Sequence, residues 1–207
     1  MASRESRSPF APPPDEAPRR GAETGDSIGA AFTIGHSTRS LDELVALLQE
    51  NDVRTLVDVR RFPRSRTNPQ FDRPALAAAL PARGIAYAHD PRLGGRRGRA
   101  SGDEVAPATN AAWQVDAFHH YADWALGPEF AAALADLLSL VREDRRPTVM
   151  CAELVWWRCH RRIIADWLLA AGVRVSHILG PGQVSLATLS PTARVDAAGR
   201  VTYPGIA

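Results

Sequence analysis

Lysine is missing from this chain of 207 residues, so all 25 of its basic side chains are arginine. A Walker-type phosphate loop, which needs a lysine and a following hydroxyl, is thereby excluded from the glycine-rich stretch Leu93–Arg99. Against 23 acidic residues the arginines leave a net charge of only +2, weak support for a protein held on nucleic acid by a concentrated basic face. With alanine abundant, a GC-rich genome accounts for the arginines as readily as selection for phosphate contacts. Cysteine is scarce too: Cys151 and Cys159 are too few for the disulfide framework of a small secreted domain, which leaves buried, metal-binding or reactive thiols. No apolar run approaches the roughly 20 residues needed to span a bilayer. The first residues lead into prolines rather than a signal-peptide apolar region. These absences predict a cytoplasmic protein with no membrane partner.

What is present suits one domain with a sizeable core and a tail, with a hydrophobic fraction of 45%. Residues 1–28 are rich in Pro, Ala, Ser, Arg and Glu and lack apolar periodicity, so a disordered tail is expected ahead of a single domain over 29–207. Ala31–Ile34 predicts a first strand, ending in Gly35-His36-Ser37. Ser40 and Glu43 have capping-box spacing, and Leu41, Leu44, Val45 and Leu48 recur at helical intervals, which predicts a helix to about Asn51. Thr55–Arg60 follows as a second strand with Asp58 and Arg60 at its exit. This βαβ unit favours a parallel sheet with a right-handed crossover. A short helix over Ala75–Leu80 and a third strand at Ile85–Ala88 come next, then an irregular segment from Leu93 to about Asn110. Helices over 116–126 and from 128 to about Val141, a strand at Pro147–Cys151, a helix opening around Arg158–Arg161 and a strand at Arg174–Leu179 complete the pattern. The fold class is α/β with a mainly parallel sheet of about five strands. After Gly182 the strand signals are weak, with a turn at Ala198-Gly199.

Parallel strands put their carboxyl ends on one edge, where open α/β sheets bind ligands. His36 and Ser37, Asp58 and Arg60, His89, and Cys151 and Glu153 all fall at such ends. Cys151 and Glu153 share a face if the strand stays extended. At about 100° per residue, Ile163, Ile164, Trp167, Leu168 and Ala171 form the next helix's core stripe, and His160 lies on its extension. Arg158 and Arg162 lie opposite, with Arg162 spaced to pair with Asp166, and Arg161 sits at the border, suited to a substrate anion. A helix N-terminus there would lower a thiol pKa. Taken singly, each cysteine reads as an inert small hydrophobe and His160 as a satisfied core histidine. Their concentration with Glu153 and Arg161 in one short span points instead to a site.

Three chemistries compete for it. A phosphatase loop needs five residues between Cys and Arg, and six separate Cys151 from Arg158. A zinc site from Cys151, Cys159 and His160 with His36 or His89 needs more closely spaced cysteines, and His119 and His120 face different ways on their helix, so no metal is assigned. A thiol or acid/base enzyme needs only proximity. The expected catalytic residues are therefore Cys151, Glu153, Cys159 and His160. His36, Ser37, Asp58, Arg60 and Arg161 would hold a small anionic or nucleotide-like substrate, and no cofactor is assigned. The rival reading is a non-catalytic nucleic-acid or ligand-binding module using Arg64, Arg66, Arg96, Arg97 and Arg99. Trp156 and Trp157 suit either stacking a ring or capping the sheet edge.

Gly35-His36-Ser37, Asp58-Val59-Arg60 with Pro63 and Ser65, Leu93-Gly94-Gly95, Cys151-Ala152-Glu153 and Cys159-His160-Arg161 occur in that order over about residues 31–180. Together they resemble a bacterial and archaeal family known as domain of unknown function 488. The resemblance implies a Rossmann-like three-layer α/β domain and marks His36, Ser37, Asp58, Arg60, Cys151, Glu153, Cys159, His160 and Arg161 as the site. Leu154–Arg158 departs from the shorter, polar, proline-containing link more usual in that family.

Overall fold

A computed structural model describes residues 27–98, 105–106 and 108–205. The expected disordered tail lies almost wholly outside the described residues, as does Arg99. Five parallel strands, β1 (Ala30–Gly35), β2 (Thr55–Asp58), β3 (Ala86–His89), β4 (Pro147–Cys151) and β5 (Arg174–Gly180), and one antiparallel strand, β6 (Gln183–Leu186), form a sheet ordered β3-β2-β4-β1-β5-β6. The inner strands are buried on both faces, which explains their near-continuous apolar sequences. Phe32, Ile34, Leu56 and Met150 point into one core, and Ala31, Val57, Val149 and Cys151 into the other.

Helices cover both faces. Helix α1 (Leu41–Glu50), closed by the reciprocal Ser40–Glu43 capping box, and α2 (Arg73–Ala79) bury Leu44, Leu48 and Leu76 in the first core. Helices α3 (Asp116–Trp124), α4 (Pro128–Arg142) and α5 (Arg161–Ala170) bury Tyr121, Phe130, Leu137, Ile163 and Leu168 in the second. Connections toward the β3 edge pass over the first face and those toward the β6 edge over the second, so all the parallel crossovers have one hand, as the chirality of βα packing requires. The order differs from the doubly wound 3-2-1-4-5-6 arrangement by exchange of β1 and β4. No single helix among the described residues is long and apolar enough to cross a membrane.

Several boundaries differ from the sequence expectation. The sixth strand, unplaced by its weak pattern, is returned against β5 by a turn in which Gly182 has φ 64°. The Ala198-Gly199 turn closes a hairpin of β7 (Arg194–Val195) and β8 (Val201–Thr202). The helix expected to open around Arg158–Arg161 begins at the end of that span, at Arg161, because a 3₁₀ turn over Trp156–Arg158 is followed by Cys159 in extended conformation. Arg162 does not pair with Asp166 within 4 Å: its Nε donates to Ser190 Oγ at 3.0 Å. Asp166 is buried and accepts from Ser190 N at 2.8 Å and Tyr203 Oη at 2.8 Å.

Candidate functional site

The chain leaving β2 turns toward β3 on one face, and the chain leaving the adjacent β4 turns toward β5 on the other. Loops that diverge in this way leave a crevice at the carboxyl ends of the strands, where open α/β sheets bind their ligands. A cleft of about 900 Å³ occupies that position. It is lined by seven of the nine residues predicted from sequence: His36, Ser37, Arg60, Cys151, Glu153, Cys159 and His160. The other two, Asp58 and Arg161, do not line it: both are buried behind it and hold residues that do.

Asp58, at the end of β2, spends both carboxylate oxygens inside the protein. Arg60 Nε donates to Oδ1 at 2.9 Å, and Arg60 Nη2 and Tyr87 Oη donate to Oδ2 at 2.7 and 2.9 Å. Burial, with the Asp58 charge beside it, pushes the Tyr87 phenol well above its ordinary range. Arg60 Nη2 also reaches Phe71 O at 2.5 Å, and Nη1 lies 3.1 Å from His36 Nε2. A guanidinium has only hydrogens to give, so His36 Nε2 is the acceptor and Nδ1 carries the proton, which it donates to Ser37 O at 2.9 Å. Burial, joined by the Arg60 charge and opposed by the Ser37 bond, lowers the His36 pKa to about 4. His36 is thus neutral at physiological pH, a fixed acceptor on the cleft wall. Of Arg60's five N–H groups, four are occupied among the described residues, leaving one on Nη1.

The floor of the cleft is a thiol pair. Cys151 ends β4, Cys159 precedes α5, and their sulfurs lie 2.8 Å apart, both unoxidised and buried. Cys159 Sγ also has Arg161 Nε and His160 Nδ1 each at 3.5 Å, while Cys151 Sγ has the Glu153 carbonyl at 3.9 Å and the Arg161 charge nearby. Burial raises the Cys151 thiol pKa, and the hydrogen bond to Cys159 raises it further. Burial acts the same way on Cys159, but the Cys151 bond, His160 and Arg161 outweigh it and hold that thiol well below its usual range. The pair therefore ionises at Cys159 with the remaining proton on Cys151. Arg161 itself is tied to the turn after β4, with Nη2 2.5 Å from Glu153 O and 3.3 Å from Leu154 O. Glu153 contributes its carbonyl to this arrangement, and its side chain stands exposed at the cleft mouth.

Two glycines of the sequence motifs permit the close approaches. The turn after β4 crosses directly over Gly35, where an added Cβ would overlap Glu153 O and lie 2.9 Å from Leu154 Cα. Gly95 passes so near His160 that a Cβ would sit 2.8 Å from its Nδ1. His160 Nε2 is buried with no hydrogen-bond partner among the described residues, and its ring packs on Tyr121 at 5.0 Å. Sequence reasoning missed Tyr87, Tyr121 and Arg61. Tyr87 carried a usable signal, since it faces the sheet beside a strand ending in a buried acid; Tyr121 looked like any apolar helix position.

The zinc combination loses members here, because both His36 nitrogens are engaged and His89 Nε2 lies 2.8 Å from Arg60 O. Among the described residues no group of three or more His, Cys, Asp or Glu side chains is arranged to hold a metal ion. No curated protein and no solved structure matches the chain. A family model described as domain of unknown function DUF488 matches residues 40–168. That match takes in more than half of the chain and every cleft residue from Arg60 to His160, so the chain belongs to the DUF488 family.

Proposed function

We propose that the protein is a thiol enzyme acting on a small anionic substrate from a Rossmann-like scaffold, with Cys159 as the nucleophile. The observation that carries this reading is the contact between the two sulfurs, with Arg161 and His160 beside one of them, at the floor of a cleft. A free thiol in a core is commonly an inert small hydrophobe. Two thiols in contact, with a buried guanidinium beside the pair and His160 beside Cys159, are poor packing but good preparation of a thiolate.

The cleft wall supports an anionic ligand. It presents Arg60, Arg61, Arg64, Arg96 and Arg158 against one carboxylate, Glu153. Arg161 is committed to internal partners and Arg60 keeps one N–H, so the anion falls mainly to Arg61, Arg64 and Arg96 near the mouth. Phe62, Val115 and Leu154, all exposed, share that rim and suit a flat or apolar portion such as a nucleobase. His160 is the group placed to take or return a proton at Cys159. A reducing cytoplasm is the compartment that keeps such a pair as thiols.

Alkylation of the full chain with iodoacetamide across pH, followed by peptide mass spectrometry, tests this. Cys159 should react with a half-maximal rate well below the ordinary thiol pKa of about 8.5. Labelling of both cysteines only with an ordinary or higher apparent pKa would overturn it.

The second reading is a nucleic-acid or ligand-binding module, favoured by the same mouth arginines. It cannot use Arg97, whose guanidinium donates to Gly94 O and Pro91 O and stacks 3.9 Å above Trp124. It predicts oligonucleotide affinity that falls steeply with salt and is abolished by R61A/R64A/R96A. Salt-insensitive or absent binding removes it.

A further inference from the structure

We infer that Cys151 and Cys159 are a two-electron dithiol–disulfide couple, and that the substrate they reduce is a small disulfide bearing carboxylate groups. This rests on the thiol reading above and goes further, since it names the reaction and the substrate class.

Three observations carry it. The sulfurs are already 2.8 Å apart, so the bond length of about 2.05 Å is reached by a displacement of under ~1 Å. The two environments are unequal: the Arg161 charge lies near both sulfurs, but Cys159 also has His160 Nδ1 at 3.5 Å, whereas Cys151 has a carbonyl at 3.9 Å. That asymmetry separates an attacking thiol from a resolving one. Finally, a second thiol touching the nucleophile is superfluous to acyl or phosphoryl transfer, where water must resolve the intermediate. It is the required second reactant when the intermediate is a mixed disulfide.

The steps balance. Cys159 thiolate attacks one sulfur of R–S–S–R; that bond breaks, and the departing thiolate is protonated from solvent. Cys151 sulfur then attacks Cys159 Sγ, the mixed disulfide breaks, and the Cys151 proton passes to the second departing thiolate. Two electrons move from the protein thiols to the substrate, giving two R–SH and one internal disulfide, which an external dithiol reduces again. The burial of both cysteines admits only small disulfides that enter the cleft. Its arginines favour those with carboxylates.

The reduced full chain is mixed with glutathione disulfide, which carries carboxylates, or with cystamine, which is cationic, and followed by intact-protein mass spectrometry. The expected product is the chain two hydrogens lighter with no adduct. C151S should stop at a stable glutathione adduct on Cys159, and C159S should form none on Cys151; Cys→Ala replaces Cys→Ser if either variant fails to fold. Relative to a free thiol, glutathione disulfide should react about 10-fold faster or more than cystamine, with the difference shrinking in high salt. No internal disulfide, with Cys159 still alkylated at low pH, overturns the couple and leaves the thiol reading standing. Loss of the low-pH alkylation as well overturns both. Equal rates for the two disulfides overturn the substrate class.

Discussion

Arg161 sits beneath the cleft with Nε 3.5 Å from Cys159 Sγ and Nη2 2.5 Å from Glu153 O, so one buried guanidinium fixes the turn after β4 and faces the ionising thiol. The two tasks can be separated by substitution. R161M leaves the Glu153 and Leu154 carbonyls without their donor and should cost about 2–4 kcal/mol in urea unfolding. It should also move Cys159 alkylation to higher pH. R161K keeps a charge without the fork geometry, so it should recover part of the Cys159 reactivity and less of the stability. Unchanged alkylation in R161M would show that the charge does not act on the thiol.

The two close-approach glycines should respond differently. At Gly35 the obstacle to a Cβ is the backbone of Glu153 and Leu154. G35A must push the β4 turn away, and a loss of stability of ~2 kcal/mol or more is expected, together with fewer internal disulfides on oxidation. At Gly95 the obstacle is the His160 side chain. G95A should therefore fold with a near-normal unfolding midpoint while changing the pH profile of Cys159 alkylation. A G95A profile identical to that of the parent would separate His160 from the thiol.

Much of this site was legible because the carboxyl edge of a parallel sheet collects residues that are far apart in sequence. His36, Arg60 and Cys151 could be gathered from strand ends and His160 from the start of the next helix, and they meet in one cleft. The layer behind them was not legible. Asp58 and Arg60 look alike in sequence as polar strand-exit residues, yet β2 ends at Asp58, leaving it buried and leaving Arg60 to turn back onto it. Arg161 was placed at the border of the core stripe by helical periodicity, but Cys159 is extended and α5 begins at Arg161, and the side chain is buried under the turn. The strand order was likewise hidden, since a βαβ pattern fixes handedness and says nothing about which strand inserts between which.

The Asp58–Arg60 pair supports the cleft wall through His36. Removing one member of a buried pair leaves the other uncompensated, so D58N should cost about 3–5 kcal/mol. Y87F removes only one neutral donor to the same carboxylate and should cost about 1 kcal/mol. Both are measured by urea unfolding at neutral pH. Similar losses for the two variants would mean that the phenol, rather than Arg60, compensates the Asp58 charge.

Acid should destabilise the fold from the other side of the site. His177 on β5 is buried, is hydrogen-bonded through Nδ1 to Thr33 Oγ1 at 2.8 Å, and stacks on Trp156 with centroids 4.2 Å apart and planes 9° apart. Burial, then the charges of Arg161 and Arg162, lower its pKa to about 3. The unfolded chain binds a proton at this residue below about pH 6.5 and the folded one does not, so its contribution to stability is full above that pH and is lost as pH falls toward about 3. Within the window the slope is about 1.4 kcal/mol per pH unit. His36, lowered to about 4 by burial first and Arg60 in addition, adds in the same direction. H177Q should flatten the pH dependence of urea unfolding between about pH 5 and 6.5 without abolishing it, because His36 still titrates in the unfolded chain. Equal slopes in the parent and H177Q would show that His177 is not held neutral. Cys159 N donates to Trp156 O at 3.1 Å, so the residue whose ring stacks on His177 also holds the backbone of the thiol residue. Loss of stability and loss of Cys159 reactivity should then appear together as the pH is lowered.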